Sequence, residues 1–164
     1  MRLREIDLGF GGALRMAATV VTNDPTFGWF AYGAAMTDSG ATLSIVPRDG
    51  LRRRLDVVIP DRTLPFPEDV SRFKLELERD GFVAEGPITI DKSASRIAFA
   101  IENRTGNAHT TGVRLAFPIN TTYELRQDGK AVPLEQTGDP DYPWRAELPV
   151  NSARCQVEVL RISR

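Results

Sequence analysis

The residues best suited to ligand binding lie in an aromatic segment between positions 23 and 33. The segment holds four aromatic residues beside a turn, and two glycines that permit close approach of the backbone. This composition suits sugar binding: Trp29 or Tyr32 would stack on a sugar ring, and Asp24 would accept hydrogen bonds from its hydroxyl groups. The alternative, which the sequence favours, is packing, with Trp29 on one side of a strand and Tyr32 on the other.

A basic run follows, in which three consecutive arginines come after an Asp-Gly turn. Guanidinium groups bind carboxylates and phosphates through paired hydrogen bonds, so Arg48, Arg52 and Arg54 are candidate contacts for an anionic group. Alternation along a strand would place Arg52 and Arg54 on one face and Arg53 on the other. Because only two of the three can readily cooperate, the sequence favours solvated ion pairs at a strand edge or between domains.

The sequence contains no recognisable catalytic or metal-binding constellation. His109 is the only histidine and lies in a polar run between two predicted strands, and Cys155 is the only cysteine. Cupin-like metal centres and structural zinc sites draw on several such ligands, and the motifs of serine hydrolases, zinc proteases and P-loop enzymes do not occur. The sequence therefore leans against an enzyme and indicates no catalytic residue, metal or cofactor. A small cupin-like or glycosidase enzyme is the least favoured alternative.

Length and charge narrow the class of protein further. The 164 residues, 41% hydrophobic and 26% charged, predict a single globular domain over positions 1–164. That this domain is part of a longer protein is implied by the resemblance given below. Twenty-one basic and twenty-two acidic residues argue against general binding of nucleic acid or of anionic membranes. No apolar run is long enough for a signal peptide or a membrane span. A complete chain would be cytoplasmic, whereas a fragment of an exported protein would be periplasmic or extracellular.

The elements that must position these residues are strands. Phe73, Leu75 and Leu77 alternate with charged residues, and the same period of two recurs elsewhere. Eleven prolines and thirteen glycines leave almost no window for a helix. Strands are predicted over 3–8, 14–21, 29–36, 42–46, 55–59, 73–77, 88–91, 97–101, 113–117, 123–127, 144–148 and 154–162. Cys155 alternates with buried-type valines in the last of these, which predicts a packing cysteine.

Regularly spaced strands without helical crossovers predict an all-β fold. The preferred architecture is a two-sheet antiparallel β-sandwich, jelly-roll or Ig-like, of about ten strands; a closed β-barrel is the alternative. Asp128-Gly129 predicts a tight hairpin. The proline-rich stretch 59–67 predicts a crossing from one sheet to the other, and the run 137–144 a structured hairpin loop.

Two groups of motifs resemble known domains. The segments 24–33 (DPTFGWFAYG) and 46–50 (VPRDG) resemble bacterial β-sandwich domains of uncharacterised function in larger carbohydrate-active proteins. The segment 123–132 (YELRQDGKAV) and the strand ending at 148–150 are similar to accessory β-sandwiches beside six-hairpin α/α-barrel, glycoside hydrolase-like catalytic domains. The resemblance implies a non-catalytic accessory or carbohydrate-binding module of a bacterial polysaccharide-processing protein. Its partners would be a polysaccharide or oligosaccharide and a flanking catalytic domain. The alternative is a structural module that packs on a partner protein domain.

Overall fold

The computed structural model describes residues 19–24, 28–48, 53–60, 70–83, 87–103, 105–118, 121–151 and 154–163. Within these ranges the chain forms fifteen strands and no helix. The strands are β1 Thr19–Asp24, β2 Gly28–Tyr32, β3 Ala34–Asp38, β4 Thr42–Pro47, β5 Arg54–Pro60, β6 Val70–Leu77, β7 Gly81–Phe82, β8 Ile88–Asp91, β9 Arg96–Glu102, β10 His109–Ala116, β11 Thr122–Gln127, β12 Lys130–Val132, β13 Glu135–Gln136, β14 Trp144–Val150 and β15 Arg154–Ser163. In the described part of the chain, no helix has the length and apolar character needed to cross a membrane.

The strands form two sheets that pack face to face. Sheet A has the order β13-β14-β10-β6-β5-β1-β2. Sheet B has the order β12-β11-β15-β9-β8-β4-β3, with β7 also paired to β9. Neighbouring strands are antiparallel, apart from the parallel pair β1 and β5. Both strand orders are open, so the predicted two-sheet sandwich is confirmed and the closed barrel is not formed.

The core lies between the sheets and follows the period of two. In β9, the buried residues Ile97, Phe99 and Ile101 alternate with partly exposed ones, and the same pattern holds in β4 and β8. Burying one face of each strand in this way supplies the main driving force for folding. Cys155 is 3% exposed and belongs to this core, which confirms the prediction of a packing cysteine.

An aromatic cluster closes one part of the core. Phe117 stacks on Tyr123 and on Trp144, with ring centroids 4.8 and 6.3 Å apart, and Phe73 contacts both Phe117 and Tyr123. The Tyr123 hydroxyl donates a 2.6 Å hydrogen bond to the carbonyl of Ala94. Trp144 is the outermost ring of the cluster and only partly buried.

The predicted tight hairpin is confirmed. Gln127 of β11 pairs with Lys130 of β12, so two residues, Asp128 and Gly129, make the turn. Both have positive φ angles, 49° and 85°, as the primed two-residue turns require. The run 137–144 likewise forms a loop between β13 and β14. The strand predicted over 3–8 and most of that predicted over 14–21 lie outside the described residues.

Two sequence predictions about connections are wrong. The strand predicted over 29–36 is divided at Gly33, whose φ of 75° breaks the extended backbone, so that β2 borders sheet A and β3 borders sheet B. The stretch 59–67 does not link different sheets, because β5 and β6 pair along their length, from Arg54 opposite Glu76 to Pro60 opposite Val70. Prolines mark where a strand stops, but they do not reveal which strand comes to lie beside it.

Candidate functional site

The outer face of sheet A, which points away from sheet B, carries two of the residues predicted from the sequence. Val20 of β1 pairs with Tyr32 of β2 and with Asp56 of β5, so these three residues form one row across the face. Arg54 lies two residues before Asp56 and therefore projects from the same face. The sheet thus places Tyr32 and Arg54 on one surface, separated by a single strand.

The aromatic part of this face is formed by Phe30 and Tyr32. Their rings meet edge to face, with centroids 5.0 Å apart and planes at 71°. Tyr32 is 51% exposed, so its ring is held by a neighbour yet open to solvent. Trp29 and Ala31 alternate with this pair and pack against the core. Of the two rings proposed from the sequence, Tyr32 is therefore the one presented on the surface.

A network of ion pairs covers the middle of the same face. Arg54 binds Asp56 at 3.2 Å, and Arg114 of β10 binds Glu76 of β6 at 2.8 Å. Burial is the largest single influence on the pKa of Arg54 and works to lower it, but the negative partners around the guanidinium, led by Asp56, together raise this pKa. Asp56 is 7% exposed. Because these charges are paired on the sheet, they form a polar floor beside the aromatic pair and not a free anion site.

The outer part of the network depends on a glycine. Glu78 accepts two hydrogen bonds of 2.9 Å from Arg145, which lower the pKa of Glu78. Gly112 of β10 lies beneath this pair, and a Cβ atom there would come within 2.6 Å of Glu78 Cδ. The absence of a side chain at position 112 therefore allows the two residues to meet across the strand.

Tyr142, from the loop between β13 and β14, lies over the network. Lys74 Nζ and Arg114 Cζ lie 4.7 and 5.0 Å from the centre of its ring, within the range of cation–π attraction. Tyr142 is 8% exposed, and burial raises the pKa of its hydroxyl to about 12. Among the described residues this hydroxyl has no hydrogen-bond partner. The ring therefore anchors the loop by packing and cation contacts.

The same loop forms one wall of a groove at the N-terminal end of β14. This groove, called the Trp144 groove below, has a volume of about 420 Å³ and is lined by Gln136, Gly138, Asp139, Pro140, Pro143 and Trp144. Sequence reasoning treated this run as a hairpin loop and missed that it builds a concave surface. The available signal was the pair of aromatic residues Tyr142 and Trp144, since turns are dominated by glycine, proline, asparagine, aspartate and serine.

Both ring nitrogens of His109 are engaged in contacts that hold a loop. Its Nε2 lies 2.7 Å from the buried carboxylate of Asp80, and its Nδ1 lies 2.8 Å from the carbonyl of Asn107. A carbonyl and an ionised carboxylate only accept hydrogen bonds, so the doubly protonated imidazolium satisfies both contacts at once. These bonds, the Asn107 carbonyl first and Asp80 second, raise the pKa of His109. The Thr105 hydroxyl also lies 3.2 Å from Nδ1, and below the folded pKa of His109 the imidazolium has no lone pair with which to activate it.

The remaining predicted residues are not gathered at the site. Arg48 is exposed at the end of β4, where its backbone N–H donates to the Gly33 carbonyl at 2.9 Å. Asp24 ends β1 with its backbone opposite Gly28, and its side chain lies outside the described part of the structure. Arg52 also falls outside the described residues. The basic run is thus divided between sheets, with Arg48 after β4 of sheet B and Arg54 opening β5 of sheet A.

A second concavity lies at the β12 edge of sheet B, beside β14 of sheet A. This cleft, also about 420 Å³, is lined in part by Gln127, Val132, Glu147, Pro149 and Cys155. The Gln127 amide donates to the Pro149 carbonyl at 2.6 Å and so ties β11 of sheet B to β14 of sheet A. Proline lacks an N–H, so this part of β14 offers little backbone to an added strand. The cleft is best explained as a protected edge of the sandwich.

Comparison with known proteins identifies no relative: no family model, curated protein or solved structure matches this chain. The described residues also include no group of three or more histidine, cysteine, aspartate or glutamate side chains placed to hold a metal ion. Any statement about function must therefore come from the chemistry of the surfaces described above.

Proposed function

We propose that this chain is a non-catalytic carbohydrate-binding accessory module of a bacterial polysaccharide-processing protein, with the sugar chain lying on the outer face of sheet A. The observation that supports this proposal most is the exposed ring of Tyr32, braced by Phe30 at 5.0 Å. A sugar ring has an apolar C–H face, and an aromatic ring that is held in place provides a flat apolar surface at small entropic cost.

The surroundings of Tyr32 suit the polar rim of a sugar. Thr22 lies opposite Phe30 on the neighbouring strand, and Asp56 lies one strand further on. The Thr22 hydroxyl can donate to and accept from sugar hydroxyl groups, whereas Asp56 is 7% exposed and paired with Arg54 and contributes negative charge beneath this surface. The engagement of both His109 nitrogens supports a binding role in preference to a catalytic one.

Affinity gel electrophoresis against a panel of neutral and acidic polysaccharides tests the proposal. We expect retardation by at least one polysaccharide and a loss of about 5- to 30-fold in affinity for Tyr32→Ala, since a stacked ring contributes about 1–2 kcal/mol. Ile162→Ala is the matched control, because Ile162 is also an exposed hydrophobic residue, 59% exposed, but belongs to sheet B. Equal retardation of wild type and Tyr32→Ala would show that the sugar binds elsewhere.

A structural interaction module is the second candidate. It is favoured by one observation: β2 borders sheet A and has no charged side chain, although charges commonly protect such edges. This alternative predicts that no polysaccharide is retained and that the β2 amides facing away from β1 are protected from hydrogen exchange only when a partner domain is present. Retention by a polysaccharide without a partner domain distinguishes the two functions.

A further inference from the structure

We infer that the Trp144 groove is a second sugar-binding site, selective for a neutral sugar ring; this inference rests on the proposed function. The groove combines one aromatic residue and two prolines with the amide of Gln136 and the carboxylate of Asp139. A mostly apolar concavity with a few polar groups is the usual form of a small-ligand site.

The groove is formed before any ligand arrives, because its loop is tied at several points. The Thr137 N–H donates to the Pro143 carbonyl at 2.9 Å, and the Thr137 hydroxyl donates to the Tyr142 carbonyl at 2.6 Å. The Asp141 N–H donates to Asp139 Oδ1 at 2.8 Å. The Tyr142 ring adds the anchor over Lys74 and Arg114 described above. A loop ordered in this way loses little conformational entropy on binding.

The charges of the lining indicate which sugars fit. Asp139 is the only charged residue among the six that line the groove. Its Oδ1 is bound by the Asp141 N–H, which leaves Oδ2 to accept a hydrogen bond from a ligand hydroxyl. A uronic acid would bring its carboxylate towards Asp139 with no lining cation to compensate, and like charges in a groove repel. The groove therefore favours neutral hexose units.

This site is independent of the surface around Tyr32. Trp144 lies on β14 and Tyr32 on β2, five strand spacings away across sheet A. At about 4.8 Å per spacing, the two strands lie about 24 Å apart, so one sugar unit cannot touch both rings. Each site can therefore be tested while the other is intact.

Tryptophan fluorescence provides a readout specific to the groove. The chain has two tryptophans, so a Trp29→Phe background leaves Trp144 as the only tryptophan reporter. We expect neutral oligosaccharides of glucose or mannose to change Trp144 emission, and oligogalacturonate to leave it unchanged. Gln136→Ala should weaken this response about fivefold through the loss of one hydrogen bond, without the risk of unfolding that removal of Trp144 carries. Gln156→Ala, an exposed glutamine of sheet B, is the matched control.

The outcomes separate this inference from the proposed function. Retention of a neutral polysaccharide by the gel with no change in Trp144 emission would overturn the groove and leave the proposed function standing. An equal response to oligogalacturonate, an unchanged response in Gln136→Ala, or a response to a proline-rich peptide in place of the sugars would also overturn it. If the gel retains no polysaccharide and Trp144 does not respond, both proposals are wrong.

Discussion

The three tyrosines of this chain predict three different outcomes for the same substitution, Tyr→Phe. Tyr142 has a buried hydroxyl with no hydrogen-bond partner among the described residues, whereas the buried Tyr123 hydroxyl donates to the Ala94 carbonyl at 2.6 Å. Tyr32 is half exposed, and its hydroxyl can bond to water. The substitution keeps the ring and removes only the hydroxyl, so the change in unfolding free energy reports that group alone.

The magnitudes follow from the hydrogen-bond state. A buried polar group without a partner costs about 1–3 kcal/mol, so Tyr142→Phe should stabilise the fold by about 1 kcal/mol while its ring still contacts Lys74 and Arg114. Tyr123 is 2% exposed, and Tyr123→Phe leaves the Ala94 carbonyl without this donor, which should destabilise the fold by about 2 kcal/mol. Tyr32→Phe should change the unfolding free energy by less than about 0.5 kcal/mol.

Equilibrium unfolding in urea measures the change in unfolding free energy for each of the three variants, and thermal unfolding provides a second measurement. At about 2–4 °C per kcal/mol, thermal midpoints should rise by about 2–4 °C for Tyr142→Phe and fall by about 4–8 °C for Tyr123→Phe. If Tyr142→Phe is destabilised by as much as Tyr123→Phe, then the Tyr142 hydroxyl is hydrogen-bonded in solution, and our account of how the loop is anchored is wrong.

Three further predictions concern other parts of the fold. Because the folded pKa of His109 is raised above its ordinary 6.5, its contribution to stability is present below that value and is lost as the pH rises through the folded pKa. Chemical denaturation of wild type and of His109→Gln measures this contribution as the difference between their unfolding free energies. The stability advantage of wild type should decrease above pH 6.5, and an advantage that does not vary with pH would contradict the contact with Asp80. Burial raises the pKa of Cys155, so the native thiol should react with Ellman's reagent far more slowly than in urea, and equal rates would contradict its burial. Gly112→Ala displaces the exposed Glu78–Arg145 ion pair, worth about 0–1 kcal/mol, but gains about 0.5–1 kcal/mol because alanine reduces the entropy of the unfolded chain. The unfolding free energy should therefore be nearly unchanged, and it should rise when the same substitution is made in a Glu78→Ala background. A decrease in unfolding free energy above about 2 kcal/mol would show that the backbone cannot adjust.

Local patterns in the sequence were sufficient to predict the fold class and most of the longer strands that the structure describes. The alternation in segments such as 97–101 is a pattern between residues close together in the chain, and so is the Asp128-Gly129 turn. Both can therefore be read from the sequence. The pairing of β5 with β6 was not predicted, because it depends on which strands meet in space. The division at Gly33 was missed for a related reason, since a glycine within a strand pattern is compatible with either a bulge or a break.

The candidate site was predicted only in part. The aromatic segment was found from composition, and alternation already placed Trp29 and Tyr32 on opposite sides. Which of the two rings faces the core depends on the sheet that β2 joins, and this required the structure. Tyr142 and Trp144 were not proposed as site residues, because their positions depend on a loop that folds back over distant strands.

The central claim is that a sugar chain lies against Tyr32 on the outer face of sheet A. Amide chemical shifts of the isotope-labelled chain, recorded with and without a polysaccharide-derived oligosaccharide that the gel experiment retains, test it most directly. Our account predicts shifts in β1 and β2, around residues 20–22 and 28–32, that are lost in Tyr32→Ala, whereas any shifts in the Trp144 groove are unaffected by this substitution. Shifts confined to sheet B, or shifts in β1 and β2 that Tyr32→Ala leaves unchanged, would contradict it.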